Sequence, residues 1–244
     1  MLTSPVLDLG PLRGRLVEGS PSAGNDSAKP PLVVVLLHGF GASGDDLVGL
    51  AGELRAPAGT VFVFPQAIHD LAALTGEPMY AGARAWWPVD FAARERALRS
   101  GGLDDLARQV PDGLVAARDA VNGMLDDVTA RFPAHRLVLG GFSQGAMLSL
   151  DTALRSSRVL AGLVLLSGTI IAEAEWTPLL PQRKNVPVFQ SHGRQDAVLP
   201  FSVAERLASV LTSAGYDATF RPFQGPHTIA SSTMDDLSTW LSAR

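Results

Sequence analysis

The chain has 244 residues, 46% of them hydrophobic and 18% charged, a balance that supplies a buried core and excludes an intrinsically disordered chain. A formal charge of −4 and a pI of about 5.7 leave no basic stripe able to track a phosphate backbone, so nucleic acid is excluded as a partner. Cysteine is absent, which removes disulfides, thiolate catalysis and cysteine-held metal together.

The N-terminus, MLTSPVLDLGPLRGRLVEG, lacks a basic start followed by a sustained apolar run and does not read as a secretory signal. The longest apolar runs are strand-length, too short for stable membrane insertion. A cytoplasmic protein is the expectation; a precursor already relieved of its signal would read the same way. Pro5 to Val17 reads as two short edge strands, and residues 19–31 as a polar, turn-rich loop.

Beyond that loop, apolar runs alternate with helical patterns. Leu32–Leu37, Thr60–Phe64, Arg136–Leu139, Leu160–Leu166, Val186–Gln190 and Ala218–Phe223 read as strands. Most are continuous runs, as expected where both faces of a sheet are covered. Helices are expected over Asp45–Leu54, Pro111–Arg131, Gln144–Ser156, Phe201–Ala214 and Thr228–Leu241, the second opening on a proline. The alternation predicts an α/β fold: one domain over 1–244, with a mostly parallel central sheet and helices on both faces. One segment breaks the rhythm. Gln66 to Gly102 shows no clear strand yet carries Tyr80, Trp86, Trp87 and Phe91. A long connection of this kind either lines a binding site or packs its aromatics on the core. It follows the Thr60–Phe64 strand, so Trp86 and Trp87 are candidate substrate contacts, one facing the substrate and the other anchoring the loop.

Gly141-Phe142-Ser143-Gln144-Gly145 lies between a strand and a helix. A serine on so sharp a turn presents its hydroxyl, and glycines on either side remove clashing side chains. Ser143 is therefore the candidate nucleophile, and it needs a base. Of the five histidines, His227 fits best: it sits in a turn after the Ala218–Phe223 strand and before the last helix, at the carboxyl end of the sheet. His135 precedes its strand and falls at the opposite edge. His69 reads as a solvated loop residue, and His38 and His192 as supports of the turns they occupy. Asp196, in the loop after Val186–Gln190, is the acid expected to orient the imidazole, with Glu173 as the fallback; Asp90 reads as a solvated charge. The Leu37-His38-Gly39-Phe40-Gly41 stretch follows a strand and lets backbone approach a substrate, so the N–H groups of Phe40 and Gln144 are candidate oxyanion donors.

Together, Leu37-His-Gly-Phe-Gly41, Gly141-Phe-Ser-Gln-Gly145, His192-Gly193 with Asp196 and Pro200, and Gly225-Pro-His227 resemble the phospholipase/carboxylesterase family, from about Leu32 to the C-terminus. That family includes bacterial carboxylesterases and acyl-protein thioesterases. The order Ser, Asp, His is also that of the α/β-hydrolase fold. The resemblance implies hydrolysis of carboxylic esters through an acyl-enzyme, with thioesters or lysophospholipids as the alternative substrates, and no metal or other cofactor. Two departures stand out. Ala146 replaces a usual glycine, and Trp86-Trp87-Pro88-Val89-Asp90 is two residues longer than the family's aromatic motif, which favours a bacterial-type esterase with its own pocket. A peptidase or amidase of this fold would often carry a larger cap than this insert. The reading from another class is a catalytically silent α/β-hydrolase that only binds. The expected partner is a small-molecule ester; monomer and homodimer are both left open.

Overall fold

The structure is a computed structural model and describes residues 4–21, 30–99, 102, 107–133 and 135–244. Most of the polar loop expected over 19–31 and residues 100 and 101 of the 66–102 insert lie outside the described residues.

An eight-stranded sheet runs through the molecule. Its strands are β1 (Val6–Leu9), β2 (Leu12–Glu18), β3 (Leu32–Leu37), β4 (Val61–Pro65), β5 (Arg136–Phe142), β6 (Gly162–Leu166), β7 (Val188–Gly193) and β8 (Ala218–Phe223). They lie in the order β1-β2-β4-β3-β5-β6-β7-β8. β2 is antiparallel to both its neighbours, and the remaining pairs are parallel. The helices are α1 (Leu50–Glu53), α2 (Leu71–Thr75), α3 (Phe91–Arg99), α4 (Leu114–Arg131), α5 (Gln144–Arg155), α6 (Glu173–Trp176), α7 (Phe201–Ser213) and α8 (Ser231–Ser242).

β3 shows why the apolar runs are continuous. Val33, Val35 and Leu37 point into one core with residues of α4, α5 and α7, while Leu32, Val34 and Leu36 point into a second core with residues of α1 and α8. Side chains alternate across a strand, so a strand covered on both faces must be apolar at every position. This is the α/β architecture expected from the alternation.

Several boundaries differ from the sequence reading. β5, expected to end at Leu139, runs on through Gly140 and Gly141 to Phe142; a Cβ at Gly140 would lie 2.5 Å from the Val164 carbonyl oxygen of the next strand. β7 likewise extends to Gly193. Asp45–Leu54 is helical only over Leu50–Glu53. The preceding residues form successive turns with i to i+3 bonds such as Val48 N–H to Asp45 O. The helix expected from Pro111 starts at Leu114, because Gly113 takes φ 91°, outside the helical region. The insert is less irregular than its sequence suggests: His69–Asp70 pairs antiparallel with Arg84–Ala85, and α2 and α3 lie within it.

Register brings the carboxyl ends of the central strands to one edge. Leu37 lies beside Gly141, Phe142 beside Leu166, Leu166 beside Ser191, and Gly193 beside Phe223. After β3 the chain passes to β4 on one side, and β5 then returns to the other side of β3. The crevice at such a reversal is where open α/β sheets form sites.

Candidate active site

Ser143 joins β5 to α5 with φ 55° and ψ −117°, a conformation unfavourable for any residue with a Cβ. The turn is so tight that a Cβ on Gly141 or Gly145 would lie 2.3 or 2.1 Å from the Leu37 carbonyl oxygen. That is the steric reason for the flanking glycines. Ala146, the departure from the family pattern, is accommodated across the turn by Gly168, whose own missing Cβ would lie 2.7 Å from that of Ala146.

His227 approaches from the loop after β8. Its Nε2 is 2.9 Å from Ser143 Oγ, and its Nδ1 is 2.6 Å from Asp196 Oδ2. A carboxylate only accepts, so Nδ1 carries the proton and Nε2 offers its lone pair to the serine hydroxyl. Asp196 is buried, and Oδ1 accepts from the N–H groups of Val198 (2.8 Å) and Leu199 (2.7 Å). Burial alone would raise its pKa. The hydrogen bonds from His192, His227 and the Leu199 N–H outweigh this and hold the carboxyl below the usual carboxylate range.

The loop after β3 lies against the serine: a Cβ on Gly39 would sit 3.3 Å from that of Ser143. The N–H groups of Phe40 and Gln144 have no protein acceptor among the described residues. Both residues line a cavity of about 720 Å³ that also reaches Ser143 and His227. Its walls are largely apolar, with Trp87, Met147, Ile171 and Val203 among them.

The two tryptophans part company. Trp87 lines this cavity. Trp86, expected beside it as a candidate substrate contact, does not; it is fully buried, and its indole N–H donates to the His38 carbonyl at 3.0 Å. The chain bends at both residues, and only Trp87 is turned toward the pocket. The Gln144 side chain holds this stretch, accepting from Trp86 N–H (2.8 Å) and donating to the Trp87 carbonyl (2.9 Å). Sequence reasoning used only the Gln144 backbone and missed this role.

The other histidines separate cleanly. His38 is buried, with Nε2 accepting from Ala67 N–H at 3.1 Å and Nδ1 donating to Gly39 O at 2.8 Å; burial pushes its pKa down. His69 lies in the short pairing of the insert, and His135 bonds the Phe132 carbonyl before β5, at the far edge. His192 is fully buried against Asp196. Glu173, the fallback acid, is taken up by Arg206 at 2.7 Å, and Asp90 caps α3 through Ala93 N–H at 2.8 Å. α3 itself is tied down at two points. Phe91 packs edge-on against Phe40, with ring centroids 5.1 Å apart, and Arg94 donates to the Val198 carbonyl in the Asp196 loop.

A model of the phospholipase/carboxylesterase family matches residues 22–244. The chain belongs to that family. It is similar to a probable carboxylesterase of Oryza sativa subsp. japonica, 27% identical over 235 residues, which cover 94% of this chain and 83% of the relative. It is 30% identical over 218 residues to an acyl-protein thioesterase 1 of Eremothecium gossypii, covering 86% of each chain. Among solved structures, esterase PE8 is 31% identical with a TM-score of 0.71, over 94% of this chain and 97% of that one. An acyl-protein thioesterase 2 of Zea mays shares the fold at 24% identity, with a TM-score of 0.70 over 94% and 98%. As a member of the phospholipase/carboxylesterase family the chain is a serine-type ester hydrolase of the α/β-hydrolase fold. No helix among the described residues is long and apolar enough to cross a membrane.

Proposed function

We propose that this chain, acting as a single α/β-hydrolase domain, cleaves small and medium-chain carboxylic esters with Ser143 as nucleophile, His227 as general base and Asp196 as its orienting acid. The observation that carries the reading is the continuous run from Ser143 Oγ to His227 Nε2 (2.9 Å) and from Nδ1 to Asp196 Oδ2 (2.6 Å), opening onto an apolar cavity. His227 takes the serine proton as Oγ attacks the ester carbonyl. The carbonyl oxygen becomes an oxyanion, met by the N–H groups of Phe40 and Gln144. His227 returns the proton to the leaving alcohol, and the acyl group remains on Ser143. A water deprotonated by His227 then releases the acid and restores the serine. Trp87 forms part of the acyl wall.

Thioesters are the second reading, favoured by the relatives named acyl-protein thioesterases. The same acyl-enzyme serves both, and the thiolate leaves with less help from a proton. Lysophospholipids belong to the same reading, in keeping with the phospholipase half of the family's name. The expected setting is the cytoplasm, with a small-molecule ester as partner and the monomer or a homodimer as the acting species.

The test is labelling by a fluorophosphonate probe alongside hydrolysis of p-nitrophenyl acetate, butyrate and octanoate and of octanoyl-CoA. Wild type is expected to label and turn over, and Ser143→Ala to do neither while unfolding normally. Labelling that survives in Ser143→Ala would remove the serine from its role. A wild-type protein that neither labels nor hydrolyses any of these would be a binding protein.

A further inference from the structure

We propose that His192 is a positioning residue for the proposed reaction, a second imidazole that holds the Asp196 carboxylate from behind while His227 uses its front. The inference rests on the triad reading above.

His192 sits near the end of β7, one residue beyond Ser191, which pairs with Leu166 of β6, and directly before Gly193. Gly193 has no room for a side chain, since a Cβ there would lie 2.3 Å from the Pro226 carbonyl oxygen. The turn that carries His227 is thus seated on β7, and the next side chain back along the strand is His192. It is fully buried. Its Nε2 is 2.8 Å from the Leu199 carbonyl oxygen and 3.1 Å from Asp196 Oδ2. Both partners accept, so Nε2 bears the proton and shares it between them. Leu199 in turn donates its own N–H to Asp196 Oδ1. His192, Leu199 and Asp196 therefore close a ring of hydrogen bonds that fixes both carboxylate oxygens.

The other nitrogen shows what this arrangement costs. With the proton on Nε2, Nδ1 is a bare lone pair, and it is buried without a partner. A buried unsatisfied acceptor is unfavourable, and a phenylalanine or leucine would fill the same space without it. Packing alone gives no reason for a histidine here; its N–H, given both to the Leu199 carbonyl and to Asp196 Oδ2, does. The bond draws charge density from Oδ2. It keeps that oxygen in line with His227 and limits how strongly the carboxylate favours the protonated base. Two cations stand near this cluster among the described residues. Arg94 acts on Asp196 electrostatically from α3, and Arg194 stacks 4.7 Å above the Phe201 ring, whose centroid is 6.2 Å from that of His192.

The experiment compares pH profiles of kcat/KM for p-nitrophenyl acetate in wild type, His192→Phe, His192→Leu and His192→Gln, with folding checked by circular dichroism and thermal melting. Loss of the N–H leaves Oδ2 to His227 alone and the Leu199 carbonyl without this donor. The Phe and Leu variants should move the acid limb to higher pH by about half a unit. They should lower kcat by about tenfold, on the scale known for partners that orient a reacting ligand, with little change in KM. Gln reaches the Nε2 position with an amide N–H and should restore both. Folded Phe or Leu variants with the wild-type acid limb would overturn the proposal. So would a loss of kcat that Gln does not rescue. If both apolar variants fail to fold, His192→Asn decides, because its amide stops near the Nδ1 position: an acid limb identical to that of the Gln variant counts against His192. Absence of fluorophosphonate labelling in wild type would instead sink the triad reading itself.

Discussion

The side chain of Gln144 offers the sharpest test of how the insert is held. It spans two buried backbone groups, the Trp86 N–H at 2.8 Å and the Trp87 carbonyl at 2.9 Å, and is itself buried. Gln144→Leu keeps the bulk and the backbone N–H of position 144 but removes both bonds. Each backbone group left unsatisfied in the interior costs about 1–3 kcal/mol, so the variant should lose about 2–6 kcal/mol, less whatever water recovers. Urea unfolding reads this directly, with the midpoint falling at unchanged slope. A second effect follows from position. Trp87 lines the acyl cavity, so loosening this stretch should erode the preference for octanoate over acetate esters more than it lowers acetate hydrolysis. A Leu variant within about 0.5 kcal/mol of wild type, the range of an ordinary surface change, would refute the clamp. Lost stability with unchanged acyl ratios would leave the clamp standing and detach Trp87 from the substrate.

The remaining predictions use neighbouring parts of the site. Trp87→Ala should lower the octanoate-to-acetate ratio of kcat/KM several-fold, since each methylene taken out of water contributes about 0.8 kcal/mol, whereas Trp86→Ala should show chiefly as a loss of about 3–5 kcal/mol in unfolding. Asp196→Asn should fold yet lose kcat by about 10⁴-fold through the wrong histidine tautomer, while Glu173→Gln, whose partner is Arg206, should keep near-normal turnover; the reverse pattern in steady-state kinetics would exchange the two acids. Burial lowers the His38 pKa, so the unfolded chain takes up a proton there that the folded chain refuses. Its contribution to stability is whole above about pH 6.5 and is lost as the pH falls toward the folded value, so melting temperature should drop less between pH 7.5 and 5.5 in His38→Asn than in wild type.

Local patterns in the chain specify more of this protein than its modest similarity to relatives suggests. The continuous apolar run of Leu32–Leu37 announces a strand covered on both faces, because alternation across the pleat leaves no polar position. Gly141 and Gly145 announce the tight turn at Ser143, because a Cβ at either would strike the Leu37 carbonyl. The positions of Asp196 and His227 after β7 and β8 are legible for the same reason: each follows a strand whose carboxyl end must face the site in a parallel sheet. These are properties of short stretches, and short stretches can be read singly.

What tertiary structure alone decided depends on groups far apart in the chain. The strand expected over Arg136–Leu139 in fact continues to Phe142, and Gly140 is there because the neighbouring Val164 backbone leaves no room for a Cβ. Trp86 and Trp87 are chemically equivalent in the sequence; only the place of the insert against His38 and Gln144 turns one into the core and the other toward the cavity. The long hold of α3 on Phe40 and Val198 has no local signature. His192 reads as a turn residue until β7 is aligned with β8 and the loop after it folds back, which brings its N–H within reach of Asp196. Periodicity and turn chemistry act over a few residues, but hydrogen-bond partners and burial are set by which distant segments the sheet register brings together.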